Sequence, residues 1–482
     1  RGGRDLPRVQ PSAQRSGRVR GYESRLESLR RWVCERANRR CAGVKLLVPC
    51  NKDYGSLKGD TLLMLTKHFP FNDGATPAES YLETEIKFIA PHFASVVIVA
   101  TEASSSAVQI QNTPENVISL ALGFPQTLIE KCFCLIEGLI SLRLKQITAD
   151  AVKTDSLFSV DQHLFQRYYV GKAFRKWKAL KGQLEIREII PTNVYSFWFH
   201  DTALIACWLK QKYSCQSAIA RAHRYDLYHD RTRCNYLPCR YYQLSCLDTV
   251  IPCSEDGTLY LKKTYPAFTE KIRTGYLGTC WLPDMSSENR GASFKIVSCS
   301  AVTDVKRVSL LAKALMLLDA RGFEIEWTHY GDGPKLAEVK EIAKHFNKIS
   351  SCFVGNIANK QLLREYRENH FDLFINVSVS EGLPISIMEA SGHGIPVLAT
   401  DVGGTHEIVS DGFNGMLIPE QSSAEDIAAS ILQFLNMNDE DYSLMRAAAR
   451  KQWKTKFQTN CNARILIDAL FSPQISLDGE SK

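Results

Sequence analysis

Residues 294–334 read FKIVSCSAVTDVKRVSLLAKALMLLDARGFEIEWTHYGDGP, and the alternation in this stretch decides the fold. An apolar, β-type run over 294–301 is followed by apolar residues at helical spacing over 308–318. A second strand-like run over 324–330 then closes on Gly331-Asp332-Gly333-Pro334. The pattern continues: a helix over 335–345, a short strand over 352–354, a helix over 360–368, a strand over 372–377, a helix over 384–391 and a strand over 396–400. The Gly403-Gly404 turn opens another helix, and further helices follow at 423–437 and 440–457. Strict β/α alternation with connections of about 2–6 residues is the signature of an open, doubly wound parallel sheet.

The first half carries a weaker version of the same pattern. A β-type run over 62–66 leads to Thr76-Pro77-Ala78-Glu79, which reads as a capping box, with Leu82, Ile86 and Ile89 following at helical spacing. The apolar run over 96–100 completes a strand–helix–strand unit, which implies a parallel sheet. Between 115 and 215 helices are expected over 125–147 and 197–212, with a β-branched run over 185–190 between them. The Lys/Arg set at 172–181 reads as a solvated helix face. The most apolar stretches, 132–144 and 195–209, are interrupted by Glu137, Arg143, His200 and Asp201 and read as buried helices, too short to span a bilayer. The expected organisation is an Arg-rich leader (1–57), an α/β domain (58–283), a second α/β domain (284–438), and a terminal helix and tail (439–482) packing back on the first domain.

Composition sets outer limits. A chain of 482 residues that is 45% hydrophobic and 23% charged is neither wholly disordered, nor collagen-like, nor a small disulfide scaffold. Its net charge of +7 suggests a nucleic-acid partner until it is located. Residues 1–40 hold twelve Arg and four acidic residues, leaving 47 basic against 48 acidic side chains in the rest, so no nucleic-acid partner is expected. Three readings of the leader stay open: a basic arm, a transit-like presequence, or residues outside the true reading frame. In each it is non-catalytic. Fifteen cysteines cannot all pair, and no secretory apolar segment stands near the start, so a reducing, cytoplasmic setting is expected. Cys234, Cys239, Cys246 and Cys253 lack the spacing of zinc knuckles and read as small hydrophobes.

In doubly wound sheets ligands bind beyond the carboxyl ends of the strands. Three such loops stand out in the second half. Asp304-Val305-Lys306-Arg307 puts two cations at a helix start, where they either meet a diphosphate or are simply exposed. Gly331-Asp332-Gly333-Pro334 allows close backbone approach to a ligand, although a strand-to-helix turn needs the same residues. In Ser380-Glu381-Gly382-Leu383-Pro384-Ile385-Ser386-Ile387-Met388-Glu389, Pro384 is placed to open a helix whose free N–H groups suit a phosphate. Gly382 permits approach there, and the carboxylates of Glu381 and Glu389 can accept from hydroxyls. No GxGxxG fingerprint with a following acidic ribose ligand occurs, which removes the main support for a nicotinamide enzyme.

The segment Glu381–Glu389 resembles the E-x7-E motif of retaining glycosyltransferases of family 4, which have the GT-B fold of two facing Rossmann-like domains. The resemblance runs from about 294 to 420, through Gly331-Asp332-Gly333-Pro334, Phe353-Val354-Gly355, Asp372-Leu373-Phe374-Ile375 and Thr400-Asp401-Val402-Gly403-Gly404-Thr405-His406-Glu407. It is weaker in Phe69-Pro70-Phe71 and in Ala220-Arg221-Ala222-His223-Arg224-Tyr225-Asp226. It implies that Lys306 holds the donor diphosphate, that Glu381 lies by the donor sugar and that Glu389 binds the nucleotide ribose. Gly331, Gly333 and the backbone at Gly382, Leu383 and Pro384 would complete the donor site, and His223 would face the reaction centre. The family usually carries an Arg about five residues before the Lys, where this chain has Ser300 and Ala301; Arg307 is expected to supply that charge.

The implied reaction is transfer of a sugar, with retention, from a UDP-, GDP- or ADP-sugar to a hydroxyl of a carbohydrate or lipid-linked acceptor. No metal and no cofactor are expected, and peripheral contact with the inner face of the membrane stays open. The aromatic-rich 195–199 lines an acceptor site, meets a membrane surface or is core, the last being the plainest reading. Rival readings are a nucleotide-sugar epimerase and a non-catalytic binding protein of the same fold.

Overall fold

The computed structural model describes residues 57–72, 79, 82–104, 107–109, 113–124, 127–153, 159–279 and 293–471. The first domain holds β1 (Leu57–Thr66), β2 (Phe71–Asn72), β3 (Phe93–Ala100), β4 (Val108–Gln109), β5 (Val117–Ala121), β6 (Asn193–Ser196), β7 (Ser217–Ala222) and β8 (Thr249–Pro252). The second holds β9 (Phe294–Cys299), β10 (Ile325–Tyr330), β11 (Ser350–Gly355), β12 (Leu373–Asn376), β13 (Val397–Thr400) and β14 (Gly415–Ile418). The two main sheets run β5-β3-β1-β6-β7-β8 and β11-β10-β9-β12-β13-β14, with every pairing parallel. Each sheet therefore starts at its middle, grows to one edge and returns to grow to the other, and the order reverses between β1 and β6 and between β9 and β12. At such a switch point the loops leaving neighbouring strands diverge to opposite faces, which opens a crevice.

Strand and helix burial explain why the pattern was readable. Leu62, Leu63, Met64 and Leu65 of β1 are buried on both sheet faces, as are Val96–Ala100 of β3, which gives the continuous apolar runs of a covered parallel sheet. In the second domain, Leu311, Leu315 and Leu318 of helix Val308–Asp319 bury one stripe in the core with Ile296, Trp327 and Leu398.

The terminal helices divide between the domains. Asp439–Lys456 lies on the second domain, where the Tyr442 hydroxyl donates to the Asp372 carbonyl (3.1 Å) and Arg446 Nε to that of Gly394 (3.0 Å). Thr459–Phe471 returns to the first: the buried Asn193 amide donates to the Leu470 carbonyl (2.9 Å), and Phe471 stacks on Phe93 at 4.9 Å.

Several expectations in the first half need correcting. The run over 185–190 forms no strand; helix Val160–Ile186 extends into it, and β6 begins at Asn193. The β-branched residues there are overridden because the long helix is held along its length by neighbouring helices. The Lys/Arg set at 172–181 is not simply solvated, since Lys176 is fully buried between Glu102 and Asp201. Helix Leu128–Leu144 is not a buried helix, because one face is open to solvent. Thr76, Pro77 and Ala78 of the expected capping box lie outside the described residues. The Glu79 carboxylate accepts from the backbone N–H groups of Lys67 (3.1 Å), His68 (3.0 Å) and Phe69 (2.7 Å), so it braces the loop after β1. The boundary expected at 283/284 and residues 1–56 of the leader also lie outside the described residues, while Leu57 already belongs to β1. Tyr195, Phe197 and Phe199 are core.

Candidate functional site at the interdomain cleft

The switch point of the second sheet brings together the loop after β9 and the loop after β12. A backbone bond from Val379 N–H to the Val305 carbonyl (2.9 Å) ties the two loops. Across that tie the Lys306 ammonium donates to Glu381 Oε1 at 2.6 Å, and the Asn376 side-chain amide donates to the same oxygen at 3.0 Å. Glu381 is buried and Lys306 half-buried, so this pair does not lie on an open surface. The two residues are 75 positions apart and share no local structure.

Glu389 lies one helix deeper. Helix Ile385–Gly392 begins just after Pro384, which occupies the N-cap with extended backbone and not the first helical position expected for it. The shift leaves the helix N-terminus facing the Glu381–Leu383 turn. Burial pushes the Glu389 carboxyl up to about 7, opposed by a 2.6 Å hydrogen bond from the Asn359 amide. Leu383 turns its side chain into the core beside Ile387 and Met388, leaving its backbone to the crevice.

Two glycines are required here by close packing. Gly403 has φ +54, and a Cβ on it would fall 2.0 Å from the Glu381 carbonyl oxygen, so any side chain would push the Glu381–Gly382 turn away. Gly331 has φ +137, with the Ser300 carbonyl 2.0 Å from where its Cβ would be. Gly331 and Gly333 are thus pressed against the loop after β9, which is reason enough for their identity without a ligand.

Arg307 does not take the expected part. Its Nε donates to the Val377 carbonyl and its Nη1 to the Glu420 carbonyl, both at 2.7 Å, so the guanidinium straps strand tips together. Its own backbone is left-handed (φ +49), which turns the side chain away from that of its neighbour Lys306. The cation opposite Glu381 comes instead from the other domain. Arg224, the first residue of the short helix Arg224–Leu227, donates to the Glu381 carbonyl oxygen and to the Ser380 hydroxyl. It stands in the quoted segment Ala220–Asp226, yet nothing in the spacing distinguished it from Arg221, which is buried and paired with Glu85 at 3.3 Å.

His223, at the carboxyl end of β7, enters the same cleft wall. Its ring lies between Phe197 and Trp198, with centroids 4.7 and 4.6 Å away, and is buried, with Nδ1 3.9 Å from the Asp226 carboxylate and no hydrogen-bond partner at Nε2. Asp226 holds the loop by accepting from the backbone N–H of His223 (2.5 Å) and of Phe199 (2.6 Å). A buried Nε2 without a hydrogen-bond partner is costly unless something else uses it.

Beside these residues lies a cavity of about 420 Å³, lined by Arg224, Tyr228, Asp230 and Asp256 from the first domain and by Val379, Ser380, Asp401, Val402, Gly403 and Glu420 from the second; Lys306, Glu381, Glu389 and His223 are not among its lining residues. Its far edge is fastened by Glu407, whose carboxylate accepts from the backbone N–H groups of Glu255 (2.7 Å) and Asp256 (3.0 Å) at the start of helix Glu255–Thr264. Carboxylate and helix start come from different domains, so the helix dipole helps to hold the domains together. Among the described residues no group of three or more His, Cys, Asp or Glu side chains is placed to hold a metal ion.

Two six-stranded parallel sheets of the same order, facing one crevice, define a two-domain α/β protein of the GT-B fold. Residues 285–452 match the family model described as "Glycosyl transferases group 1". Sucrose-phosphate synthase from Thermosynechococcus elongatus superposes with a TM-score of 0.60 at 13% identity, covering 86% of this chain and 100% of that one. Anabaena Alr3699/HepE in complex with UDP and glucose superposes with a TM-score of 0.57 at 14% identity, covering 86% and 100%.

Among curated proteins, the GtfA subunit of a UDP-N-acetylglucosamine–peptide N-acetylglucosaminyltransferase from Streptococcus parasanguinis is 23% identical over 241 residues, 48% of this chain and 46% of the relative. The amylovoran biosynthesis glycosyltransferase AmsK of Erwinia amylovora is 27% identical over 184 residues, 36% of this chain and 44% of the relative. The chain thus spans less than half the length of these curated relatives.

Proposed function

We propose that this chain is a glycosyltransferase that moves a sugar from a nucleoside diphosphate sugar to an acceptor hydroxyl, with retention at the anomeric carbon. The observation that carries the reading is the Lys306–Glu381 pair at the second domain's switch point, with Arg224 reaching it from across the cleft. The matched family model over the same domain supports it. As the glycosidic bond breaks, positive charge grows on the sugar and negative charge on the departing diphosphate. Fixed cations aimed at the leaving group therefore lower the barrier more than they tighten the ground state. Lys306, Arg224 and the N-terminus of helix Ile385–Gly392 are the groups we assign to the diphosphate, Glu381 to the donor sugar, Glu389 to the ribose and His223 to the reaction centre. Closure of the two domains excludes water and suppresses donor hydrolysis.

The relatives named for amylovoran and O-antigen biosynthesis support a carbohydrate acceptor, whereas GtfA is named for transfer to a peptide; the GtfA name and the UDP-bound neighbour favour a UDP-sugar. A lipid-linked glycan used in the cytoplasm at the inner membrane face fits the same chemistry. Incubation with a panel of UDP-, GDP- and ADP-sugars tests the reading. Release of the nucleoside diphosphate in the presence of a glycan acceptor is the expected result. A new free sugar would mark an epimerase, and no turnover with any donor would mark a binding protein.

Two further outcomes belong to this site. Arg224→Ala is expected to weaken binding of a nucleoside diphosphate by about tenfold while leaving uridine binding unchanged, read by calorimetry. Equal loss for both ligands would remove Arg224 from the phosphate site. The second concerns Glu389, whose carboxyl is pushed up to about 7 by burial. Ribose hydroxyls donate to the ionised carboxylate, so binding favours ionisation and releases a proton. Nucleotide affinity should therefore fall as pH drops through about 7, and Glu389→Gln should flatten that dependence relative to the wild type. An unchanged slope in the variant would exclude Glu389 from the ribose.

A further inference from the structure

Helix Leu128–Leu144 is joined to helix Val160–Ile186 by one face only. A Cβ on Gly138 would lie 1.9 Å from the Arg167 carbonyl oxygen, and one on Gly171 would lie 1.8 Å from that of Cys134, so the two backbones touch there. Cys134, Gly138 and Ser141 make this contact face. At about 100° per residue the opposite face holds Ile129, Phe133, Ile136 and Ile140, with Leu128 and Leu139 along its edge. These six side chains are 42–78% exposed. Monomeric proteins rarely leave so continuous an apolar surface to water.

The surroundings of the stripe are basic. The helix's own acids are drawn aside, Glu130 onto Arg175 (3.0 Å) and Glu137 onto Lys178 (2.9 Å). Lys131, Lys145 and Lys153 are exposed on the same helical excursion. Residues 128–186 carry ten Lys and Arg against six Asp and Glu, although two of these cations, Lys172 and Lys176, face inward onto Glu102 and Asp201 of neighbouring segments.

We propose that this face is a docking surface for an anionic lipid bilayer, on which helix Leu128–Leu144 lies with its apolar stripe in the interface and the lysines at the headgroups. An apolar face with basic flanks fits this occupant, because the stripe enters the acyl boundary while the cations meet lipid phosphates. A second copy fits less well, since it would bring two basic rims together. No described helix is long and apolar enough to cross a membrane, so the contact is one of lying on the surface. The proposal does not depend on the transfer reaction, although it would bring the cleft to lipid-linked acceptors.

The test is flotation of the purified full chain with phosphatidylcholine vesicles and with vesicles that also contain phosphatidylglycerol. The wild type is expected to partition at least about tenfold more onto the anionic vesicles, and less as salt is raised. The double variant Phe133→Asp/Ile136→Asp should lose this partition, with an unchanged melting temperature and unchanged transfer to a water-soluble acceptor. Three results would overturn the proposal: no preference for anionic vesicles, a double variant that still floats, or a wild-type dimer that the double variant splits without any vesicle binding. Loss of transfer by every form of the protein would instead count against the proposed reaction alone.

Discussion

Glu381→Ala is expected to lower sugar transfer by about 10²–10³-fold while leaving the fold intact, measured as kcat on whichever donor the panel identifies. The side chain is buried, and one of its oxygens already accepts from both Lys306 (2.6 Å) and Asn376 (3.0 Å). Removing it deletes the carboxylate assigned to the donor sugar and releases the Lys306 ammonium from its position. Both losses act where charge separates in the transition state, so kcat should fall more than KM rises. The surrounding turn is held by the backbone: Gly404 N–H donates to the Gly382 carbonyl at 2.7 Å, and Val379 N–H to that of Val305, so circular dichroism should be unchanged. A variant that transfers at a near wild-type rate would show that the site has been misplaced.

Lys176→Met should destabilise the first domain by about 3–5 kcal/mol, read from the midpoint of urea unfolding. The Lys176 ammonium is fully buried and donates to Asp201 (2.7 Å), Glu102 (2.8 Å) and the Thr101 hydroxyl (3.3 Å), while Lys172 lies 2.7 Å from Glu102 and 3.7 Å from Asp201. Methionine fills the space but leaves two buried carboxylates with one ammonium. Burial alone would raise the Glu102 carboxyl, yet Lys176 and Lys172 bring it down to about 2, and the same two lysines lower Asp201. A carboxylate whose folded pKa is depressed contributes stability that is present above its unfolded value and lost as pH falls toward the folded one. Wild-type stability should therefore decline from about pH 4.5 toward about pH 2, and the variant should decline less over that window. A variant within about 0.5 kcal/mol of the wild type would mean that the network is replaceable.

The second domain was readable because its signals are local. Its inner strands are short covered apolar runs, its outer helices have apolar stripes, and short connections leave few topologies, so spacing and resemblance point to the loops carrying Lys306 and Glu381. The first domain was not. Ile186, Ile189 and Ile190 have strand propensity, but a 27-residue helix packed on its neighbours runs into that segment. The lysines at 172–181 looked like a solvated face because nothing local announces that Glu102, some 74 positions away, will meet Lys176. Helix Leu128–Leu144 is apolar enough to read as core, and only the placement of the helices packed on it shows which face stays open.

What the sequence determined by itself was the period of the strongly patterned segments, and hence the second doubly wound sheet and the strand–helix–strand opening of the first, because side-chain spacing along a strand or helix is set by covalent geometry. What only the tertiary structure decided was which charges meet. Arg307 stands beside Lys306 in the chain, but its left-handed backbone turns it onto the Val377 and Glu420 carbonyls, while Arg224 arrives at Glu381 from a different domain. An electrostatic contact depends on distance in space, and the chain's own order carries no measure of that distance until both sheets are folded and face each other.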